Sequence, residues 1–137
     1  MLIKAITLWQ PWASFMALGL KENETRSWAT QYRGPLAIHA AAKMPKRSDM
    51  SPEVWELARE KITGWHGWQL GKILCVVDLI KIMPTTAIIP FTNNKTEWML
   101  GDYSPGRWVW ITNMLKIFDE PIPIKDHQGL WNWEWIK

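Results

Sequence analysis

The order of the predicted elements limits the fold of this chain of 137 residues more than any single motif does. Apolar stretches of strand length are separated by long irregular connections, and only a few short helical segments lie between them. Strand–helix alternation does not repeat, so a parallel sheet is not expected. We therefore predict a single domain over residues 1–137, mainly β with flanking helices (α+β), forming a small, partly open β-barrel.

The individual elements are predicted from apolar periodicity and from the residues that begin and end helices. One helix begins near Pro11 and ends at Gly19, which fits a left-handed C-terminal cap. A second helix begins at Ser51-Pro52, with serine as the cap and proline at the first position. Predicted strands cover residues 2–8, 23–28, 36–42, 72–83 and 107–118, followed by a last strand in which tryptophans alternate.

The side chains best suited to chemistry lie in the stretch Leu8–Arg33. It begins with Trp9 and Trp12 on either side of Gln10 and Pro11, continues as the first predicted helix, and then becomes densely polar. The polar residues directly after the helix are Lys21, Glu22, Glu24, Thr25 and Arg26. This arrangement predicts a charged cleft, walled by tryptophan, beside the first helix.

Strand geometry predicts the direction in which these polar side chains point. Alternate side chains of a strand share a face, so Glu24 and Arg26 are expected to point the same way and Thr25 the opposite way. A desolvated Lys21 would act as a base or nucleophile, although a neighbouring Glu24 opposes this by favouring the ammonium. The alternative is a solvated cluster of surface ion pairs that contributes little to stability.

Charge and composition permit a nucleic-acid ligand without demanding one. The net charge is +3, and residues 1–50 contain seven basic and three acidic residues, whereas residues 51–137 contain nine and ten. The positive excess therefore lies with Leu8–Arg33 and with the loop containing Lys43, Lys46 and Arg47. Of the twelve tryptophans, most are expected in the core and a minority at a site.

The number and spacing of the cysteine and histidine residues argue against a metal site and against disulfide bonds. Cys75 is alone in an apolar run, which predicts a buried structural thiol. His39, His66 and His127 do not have the spacing of a known metal site, so we predict no metal and no cofactor. No apolar run reaches membrane length and the N-terminus does not have the pattern of a secretory signal, so we expect a cytoplasmic protein.

Several of these segments together resemble the ASCH domain family, in the variety common in phage and bacterial genomes. The segments are L-W-Q-P-W-A, G-L-K-E-N-E-T-R-S-W and Y-R-G-P-L-A-I-H-A, and the family's G-x-K-x-x-x-x-R pattern falls on Gly19, Lys21 and Arg26. The later segments L-G-D-Y-S-P-G-R-W and Q-G-L-W also resemble this family. The resemblance covers most of the chain.

The resemblance implies a PUA-like β-barrel with a cleft beside the first helix, and nucleic acid or nucleoside ligands. Members are assigned as RNA-binding modules, as ribonuclease-like proteins and as a small amidohydrolase of acetylated cytidine. The amidohydrolase branch uses a lysine, a threonine three residues later and a separate glutamate. Lys21 matches the lysine, but Glu24 occupies the threonine position and Thr25 comes one residue later. Asp102 is the candidate for the remaining acid.

Two functions from different classes remain open. The first is an RNA-binding or nucleotide-binding module, in which Trp9 stacks on a base, Gln10 reads its edge and Arg26 holds a phosphate. The second is a small hydrolase, an amidohydrolase of acetylated cytidine or a ribonuclease-like enzyme, that uses Lys21 and Glu24. Further candidate ligand-binding residues are Tyr32, Arg33, His39, Tyr103 and Arg107.

Plain structural roles compete with several of these assignments. Trp12 is interpreted as a core anchor on the helix face, and His39 as either a hydrogen-bonded interior histidine or a cleft residue. The segment D-Y-S-P-G fits an ordinary turn in which Arg107 pairs with Asp102.

Overall fold

The computed structural model describes residues 1–62, 67–88 and 94–136. The mainly β prediction with flanking helices is confirmed, because the described residues form a six-stranded sheet and several short helices. The elements are β1 Leu2–Leu8, α1 Trp12–Ala17, β2 Asn23–Arg26, β3 Gly34–Ala40, a 3₁₀ turn Arg47–Asp49, α2 Pro52–Ile62, β4 Lys72–Pro84, α3 Thr85–Ile88, α4 Lys95–Leu100, β5 Trp108–Pro123 and β6 Leu130–Glu134.

The strands are arranged in the order β2-β5-β4-β3-β1-β6. Four of the neighbouring pairs are antiparallel, but β1 and β3 are parallel, with Lys4 opposite Leu36 and Leu8 opposite Ala40. The sheet is therefore mainly antiparallel, in line with the expectation that a parallel sheet would not form, and β1 with β3 is the one parallel pair among the described strands. Parallel neighbours need a crossover connection of about a dozen residues or more, and residues 9–33 provide it. The polar stretch identified in the sequence is therefore this crossover.

Helix α1 is fixed because it is buried on two sides. Its residues Ala13 and Met16 pack into the sheet core around the fully buried Trp110. On its other side, Phe15 packs with Val54 of α2 and with Leu100 of α4 in a second core. The helix is therefore held between the sheet and two further helices, which fixes where the polar residues after it begin.

The end of α1 matches the expected glycine cap. Gly19 has a φ of 77°, in the left-handed region that glycine adopts without strain. The backbone N–H groups of Leu20 and Lys21 both donate to the Phe15 carbonyl, at 3.0 and 3.2 Å. This turn reverses the chain and directs Lys21 back toward the protein interior.

Burial separates one tryptophan from the rest. Among the described tryptophans, Trp9 alone is exposed, at 55%, whereas Trp110 and Trp135 are buried and the others are half-buried. The prediction that most tryptophans contribute to packing is confirmed for the described ones. Cys75 is a buried free thiol, as predicted. None of the helices in the described ranges combines the length and the apolar character needed to cross a lipid bilayer.

Candidate functional site

An open cleft of about 480 Å³ lies where the crossover meets the end of α4. Four segments form it: the end of β1, the entry to α1, strand β2, and the turn after α4. The lining residues are Thr7, Leu8, Trp9, Trp12, Glu24, Thr25, Arg26, Met99, Leu100, Gly101 and Asp102. The cleft therefore brings together four of the residues selected from the sequence, namely Trp9, Glu24, Arg26 and Asp102.

Glu24 is the centre of a chain of charges along one wall of the cleft. Its Oε1 lies 3.0 Å from the Nζ of Lys21, and its Oε2 lies 3.4 Å from the Nη1 of Arg26. Glu24 and Arg26 therefore share a face of β2, as strand alternation predicts. Only 1% of the Lys21 side chain is exposed, so this cluster is not a set of solvated surface ion pairs.

Lys21 lies behind Glu24 and does not line the cleft. Its ammonium donates to the Asn23 carbonyl as well as to Glu24. These two acceptors direct the ammonium into the protein. A ligand in the cleft therefore meets the Glu24 carboxylate before it meets Lys21.

Arg26 is oriented by two neighbours, and among the described residues most of its N–H donors have no partner. Its Cζ lies 5.4 Å from the centroid of the Trp28 ring, and its Nη1 makes the 3.4 Å contact with Glu24. That contact is longer than the roughly 2.7–2.9 Å of a strong charge-assisted bond. The guanidinium has five N–H donors and 25% of the side chain is exposed. Arg26 is therefore the cation best placed to bind a phosphate or a base edge in the cleft.

A carboxylate that the sequence did not single out supports this wall from behind. Glu97 in α4 is only 5% exposed. Its carboxylate accepts hydrogen bonds from the backbone N–H groups of Glu22 and of Asn23, the latter at 3.2 Å. Burial raises the pKa of Glu97, and the two backbone bonds and Lys21 partly oppose that shift. Glu97 thereby fixes the chain at the start of β2.

The signal for Glu97 in the sequence is slight. Asn94 caps α4 by accepting from the N–H groups of Thr96 and Glu97, which places Glu97 in the first turn of a helix. An acid at that position is common on a surface helix. Its role here depends on partners 74 and 75 residues away, and no local pattern predicts them.

Asp102 lines the cleft as an ionised carboxylate. Hydrogen bonds from the Ser104 hydroxyl and backbone N–H are the main reason that its pKa lies below the usual value, and Arg107 adds to the effect. The Nε of Arg107 lies 3.4 Å from the Asp102 carboxylate, the pairing expected for a turn. Asp102 can therefore accept a hydrogen bond from a ligand, but it is poorly suited to act as a general acid.

Arg107 and Tyr103 position this turn and do not line the cleft. Arg107 donates from Nη2 to the Thr25 carbonyl at 3.3 Å, linking the turn to β2. Tyr103 is 6% exposed and packs against Trp98, with ring centroids 4.5 Å apart. A Cβ at Gly101 would lie 2.7 Å from the Tyr103 ring. The absence of a side chain at Gly101 therefore allows the backbone that lines the cleft to lie close to the Tyr103 ring.

The structure places the Gln10 side chain inside the protein and not in the cleft lining. Its side chain is fully buried. Its Nε2 donates to the Ser14 hydroxyl at 2.7 Å and to the Gln69 carbonyl at 2.8 Å, and its Oε1 accepts from the Ser14 N–H at 3.0 Å. Because its amide is occupied within the protein, Gln10 holds the start of α1 to the chain before β4.

His39 is also enclosed and does not face the cleft. It is fully buried, with Nε2 2.6 Å from the Ile124 carbonyl and Nδ1 3.0 Å from the Thr7 hydroxyl. A carbonyl only accepts, so Nε2 carries the hydrogen and Nδ1 accepts from Thr7. Burial is the main cause of its lowered pKa. Of the two interpretations of His39, the hydrogen-bonded interior histidine is the observed one.

Tyr32 and Arg33 lie on the chain that leads into β3, away from the cleft lining. The Tyr32 hydroxyl donates to the Pro35 carbonyl. The exposed Arg33 donates from Nη1 to the carbonyls of Thr30 and Tyr32, both at 2.8 Å. Both residues thus stabilise the loop before β3.

Trp9 and Trp12 present different surfaces to the cleft. Trp9 is exposed, and the Nζ of Lys43 lies 4.3 Å from its ring centroid. Trp12 is half-buried and packs against the core of Phe15 and Val54 while it also lines the cleft. Trp12 is therefore both a core anchor, as predicted, and part of the cleft wall, a position that was not predicted from the sequence. Met99 is a further apolar lining residue that was missed.

No group of three or more histidine, cysteine, aspartate or glutamate residues in the described ranges is arranged to hold a metal ion. His66, one of the three histidines considered, lies outside those ranges. The expectation of no metal and no cofactor stays a prediction.

Comparison with known proteins points to one family. The model of the ASCH domain matches residues 6–121. Activating signal cointegrator 1 of Homo sapiens is 38% identical over 78 residues, and the same protein of Mus musculus is 37% identical over 78 residues. Each alignment covers 55% of this chain and only 13% of the relative. The chain therefore corresponds to a small part of these relatives.

A solved structure shows the same fold. A crystal structure of a mutant of ZmASCH, a protein from Zymomonas mobilis, has a TM-score of 0.52 and 13% sequence identity. The alignment covers 98% of this chain and 89% of that chain. This similarity over nearly the whole length confirms the predicted PUA-like fold.

Proposed function

Because the chain belongs to the ASCH domain family, we propose that it binds RNA, or a nucleotide unit of RNA, in the cleft between β2 and the entry to α1. The observation that carries the proposal is the presence in one cleft of an exposed indole, Trp9, and a partly exposed guanidinium, Arg26. Nucleotides offer a planar base and an anionic phosphate, and these two groups are their natural partners.

The size and chemistry of the cleft fit this ligand. Its volume of about 480 Å³ lies within the roughly 300–1,000 Å³ typical of small-molecule sites. Trp9, Trp12 and Met99 supply apolar surface for a base, and Asp102 offers an acceptor for a ribose hydroxyl or an exocyclic amino group. Glu24 does not repel the phosphate strongly, because ion pairs with Lys21 and Arg26 partly neutralise the negative charge of its carboxylate.

The proposal is tested by measuring binding of a labelled single-stranded RNA by fluorescence anisotropy, with Arg26→Ala compared with wild type. Loss of a hydrogen bond to a charged group costs about 1.5–3 kcal/mol, so affinity should fall roughly ten- to a hundredfold. Arg33→Ala is the matched control, since it removes an exposed arginine that does not line the cleft. Its affinity should stay within about twofold of wild type.

Two results would contradict RNA binding in this cleft. The first is an Arg26→Ala protein that is folded by circular dichroism and binds as tightly as wild type. The second is an equal loss of affinity in Arg26→Ala and Arg33→Ala, because the effect would then reflect net charge alone.

A hydrolytic function is the second candidate, and the position of Glu24 favours it. The Glu24 carboxylate is 12% exposed, lines the cleft and lies 3.0 Å from the Lys21 ammonium. A carboxylate in this position can take a proton from an attacking water. Lys21 does not line the cleft, so its part in such a reaction would be to orient Glu24.

This second candidate is tested by incubating the protein with acetylated cytidine and with short RNAs. Turnover that disappears in Glu24→Gln but persists in Glu22→Gln would establish hydrolysis at this site. Glu22 is a suitable comparison because it is exposed and lies two residues away. Absence of turnover with both kinds of substrate at high protein concentration would contradict the hydrolytic candidate.

A further inference from the structure

The loop after β3 carries three exposed cations, Lys43, Lys46 and Arg47, which we call the basic loop. Two of them lie beside indole rings. The Nζ of Lys43 is 4.3 Å from the centroid of Trp9, and the Cζ of Arg47 is 6.0 Å from the centroid of Trp55. Within the described part of the chain, the side chains of these three cations form no ion pair. Their charge is therefore available to an anionic partner.

The basic loop reaches the cleft at Trp9, the ring that Lys43 contacts. Trp9 lines the cleft, and the next residue, Gln10, donates to the Gln69 carbonyl at 2.8 Å. The neighbouring Trp68 stacks on Trp55, with ring centroids 6.3 Å apart and an interplanar angle of 29°. The Gln10 contact is buried, so the surface path from the cleft to Trp55 runs over the basic loop, whose Lys43 and Arg47 contact the two indoles.

We propose that the cleft is one end of a longer track for a single-stranded polynucleotide, and that the strand leaves the cleft over Trp9 and follows the basic loop toward Trp55. This extension rests on the proposed function of the cleft. A single strand presents both phosphates and unpaired bases, and this surface presents three cations with an indole ring at each end. Lys43 can release the Trp9 ring to a base and move to the adjacent phosphate.

The choice of a single strand follows from the aromatic contacts. A base stacks on Trp9 only when its own face is free, which a duplex does not permit. A duplex would use the cations but would leave the exposed indole unused. We propose a polynucleotide and not a mononucleotide because Lys46 and Arg47 do not line the cleft. A mononucleotide bound in the cleft would not contact them, whereas a longer strand can.

The test measures affinity for a series of labelled oligonucleotides, from a dinucleotide to a dodecamer, as a function of salt. The variant is the triple substitution Lys43→Gln, Lys46→Gln, Arg47→Gln. We expect at least a tenfold loss of affinity for the dodecamer and little change for the dinucleotide. For single strands, each phosphate contact contributes about −0.7 to the slope of log affinity against log salt concentration. The slope for the loop variant should therefore be less steep than that of wild type by about 2.

The matched control removes the same number and kinds of charge elsewhere. Lys81, Lys116 and Arg33 are exposed, and none of them lies in the basic loop or lines the cleft. The triple variant Lys81→Gln, Lys116→Gln, Arg33→Gln therefore has the same net charge as the loop variant. Like wild type, the control variant should bind the dodecamer more tightly than the dinucleotide. The slope of its log affinity against log salt concentration should be close to that of wild type.

The outcomes separate this proposal from the proposed function of the cleft. If Arg26→Ala weakens every oligonucleotide but the loop and control variants bind the dodecamer equally, the track is refuted and the cleft stands. If Arg26→Ala has no effect on any length, the cleft itself is refuted. Equal affinity for duplex and single strand also overturns the track. Parallel RNA and DNA series identify the strand, and a length-dependent loss in the loop variant with either one supports the track.

Discussion

The ammonium of Lys21 lies 3.0 Å from the carboxylate of Glu24, and the two side chains have different surroundings. Lys21 is enclosed by the protein, whereas Glu24 lines the cleft. The pair therefore connects the interior to the ligand surface: Lys21 holds the carboxylate in place, and Glu24 in turn contacts Arg26. The lysine of the family pattern therefore lies behind the cleft wall and reaches it through its contact with Glu24.

Replacement of Lys21 by methionine should destabilise the protein without a large change of shape. Removing one partner of a buried ion pair costs about 3–5 kcal/mol, and we expect about 3 kcal/mol because Arg26 still contacts Glu24. The free energy of unfolding in urea measures this loss. Lys61→Met is the control, since the Lys61–Glu60 pair is exposed. It should change stability by less than about 0.5 kcal/mol, and equal losses in both variants would argue against the buried pair.

Glu97 should give the protein a characteristic pH dependence. Burial raises its pKa above the ordinary 4.5, so the folded protein holds this proton more tightly than the unfolded chain does. The stability contributed by the protonated carboxyl is fully present below the unfolded pKa and is lost as pH rises through the folded pKa. Relative to Glu97→Gln, wild type should therefore lose unfolding free energy as the pH rises from about 4.5 toward neutrality.

Denaturant titrations of wild type and Glu97→Gln across that pH range measure this difference. Glu120→Gln serves as the comparison, because Glu120 is exposed. Its stability difference from wild type should be nearly constant with pH. A constant difference for Glu97→Gln as well would mean that the carboxyl titrates alike in the folded and unfolded states.

Substitution of Gln10 distinguishes its internal role from base reading. Gln10→Leu removes three hydrogen bonds, two with Ser14 and one with the Gln69 carbonyl. At about 0.5–1.5 kcal/mol each, the unfolding free energy should fall by about 2–3 kcal/mol. RNA affinity, measured where the variant is folded, should stay close to wild type. Unchanged stability together with weaker RNA binding would restore Gln10 to the ligand site.

Cys75 should be almost inert in the folded protein. Burial raises the pKa of its thiol to about 12, so little thiolate forms at mildly alkaline pH. A chromogenic disulfide reagent at about pH 8 should therefore react slowly with native protein and rapidly after denaturation in urea. Fast labelling under native conditions would contradict the buried position.

Local features of the site were predictable from the sequence because they depend on near neighbours. Gly19 ends the turn after α1 in the left-handed conformation that only glycine adopts easily. The shared face of Glu24 and Arg26 follows from the two-residue period of a strand. The family pattern on Gly19, Lys21 and Arg26 also lies within a few residues. These features predicted that Glu24 and Arg26 lie together, and both line the cleft.

Other features were decided only when distant segments met. The parallel pairing of β1 with β3 makes residues 9–33 a crossover, and this places Gln10 against Gln69 and buries its amide. Glu97 reaches the backbone of Glu22 from 75 residues away. His39 turns toward Thr7 and the Ile124 carbonyl.

The division has a simple physical reason. Turn chemistry and strand alternation are fixed by the backbone within a few residues, so the sequence determined the cap, the strand faces and the charged cluster. Whether a polar side chain faces a ligand or the interior depends on which distant donors and acceptors satisfy it once it is buried. Only the tertiary structure supplies those partners, and it therefore decided that Glu24 and Arg26 face the cleft while Gln10, Lys21 and His39 support it from within.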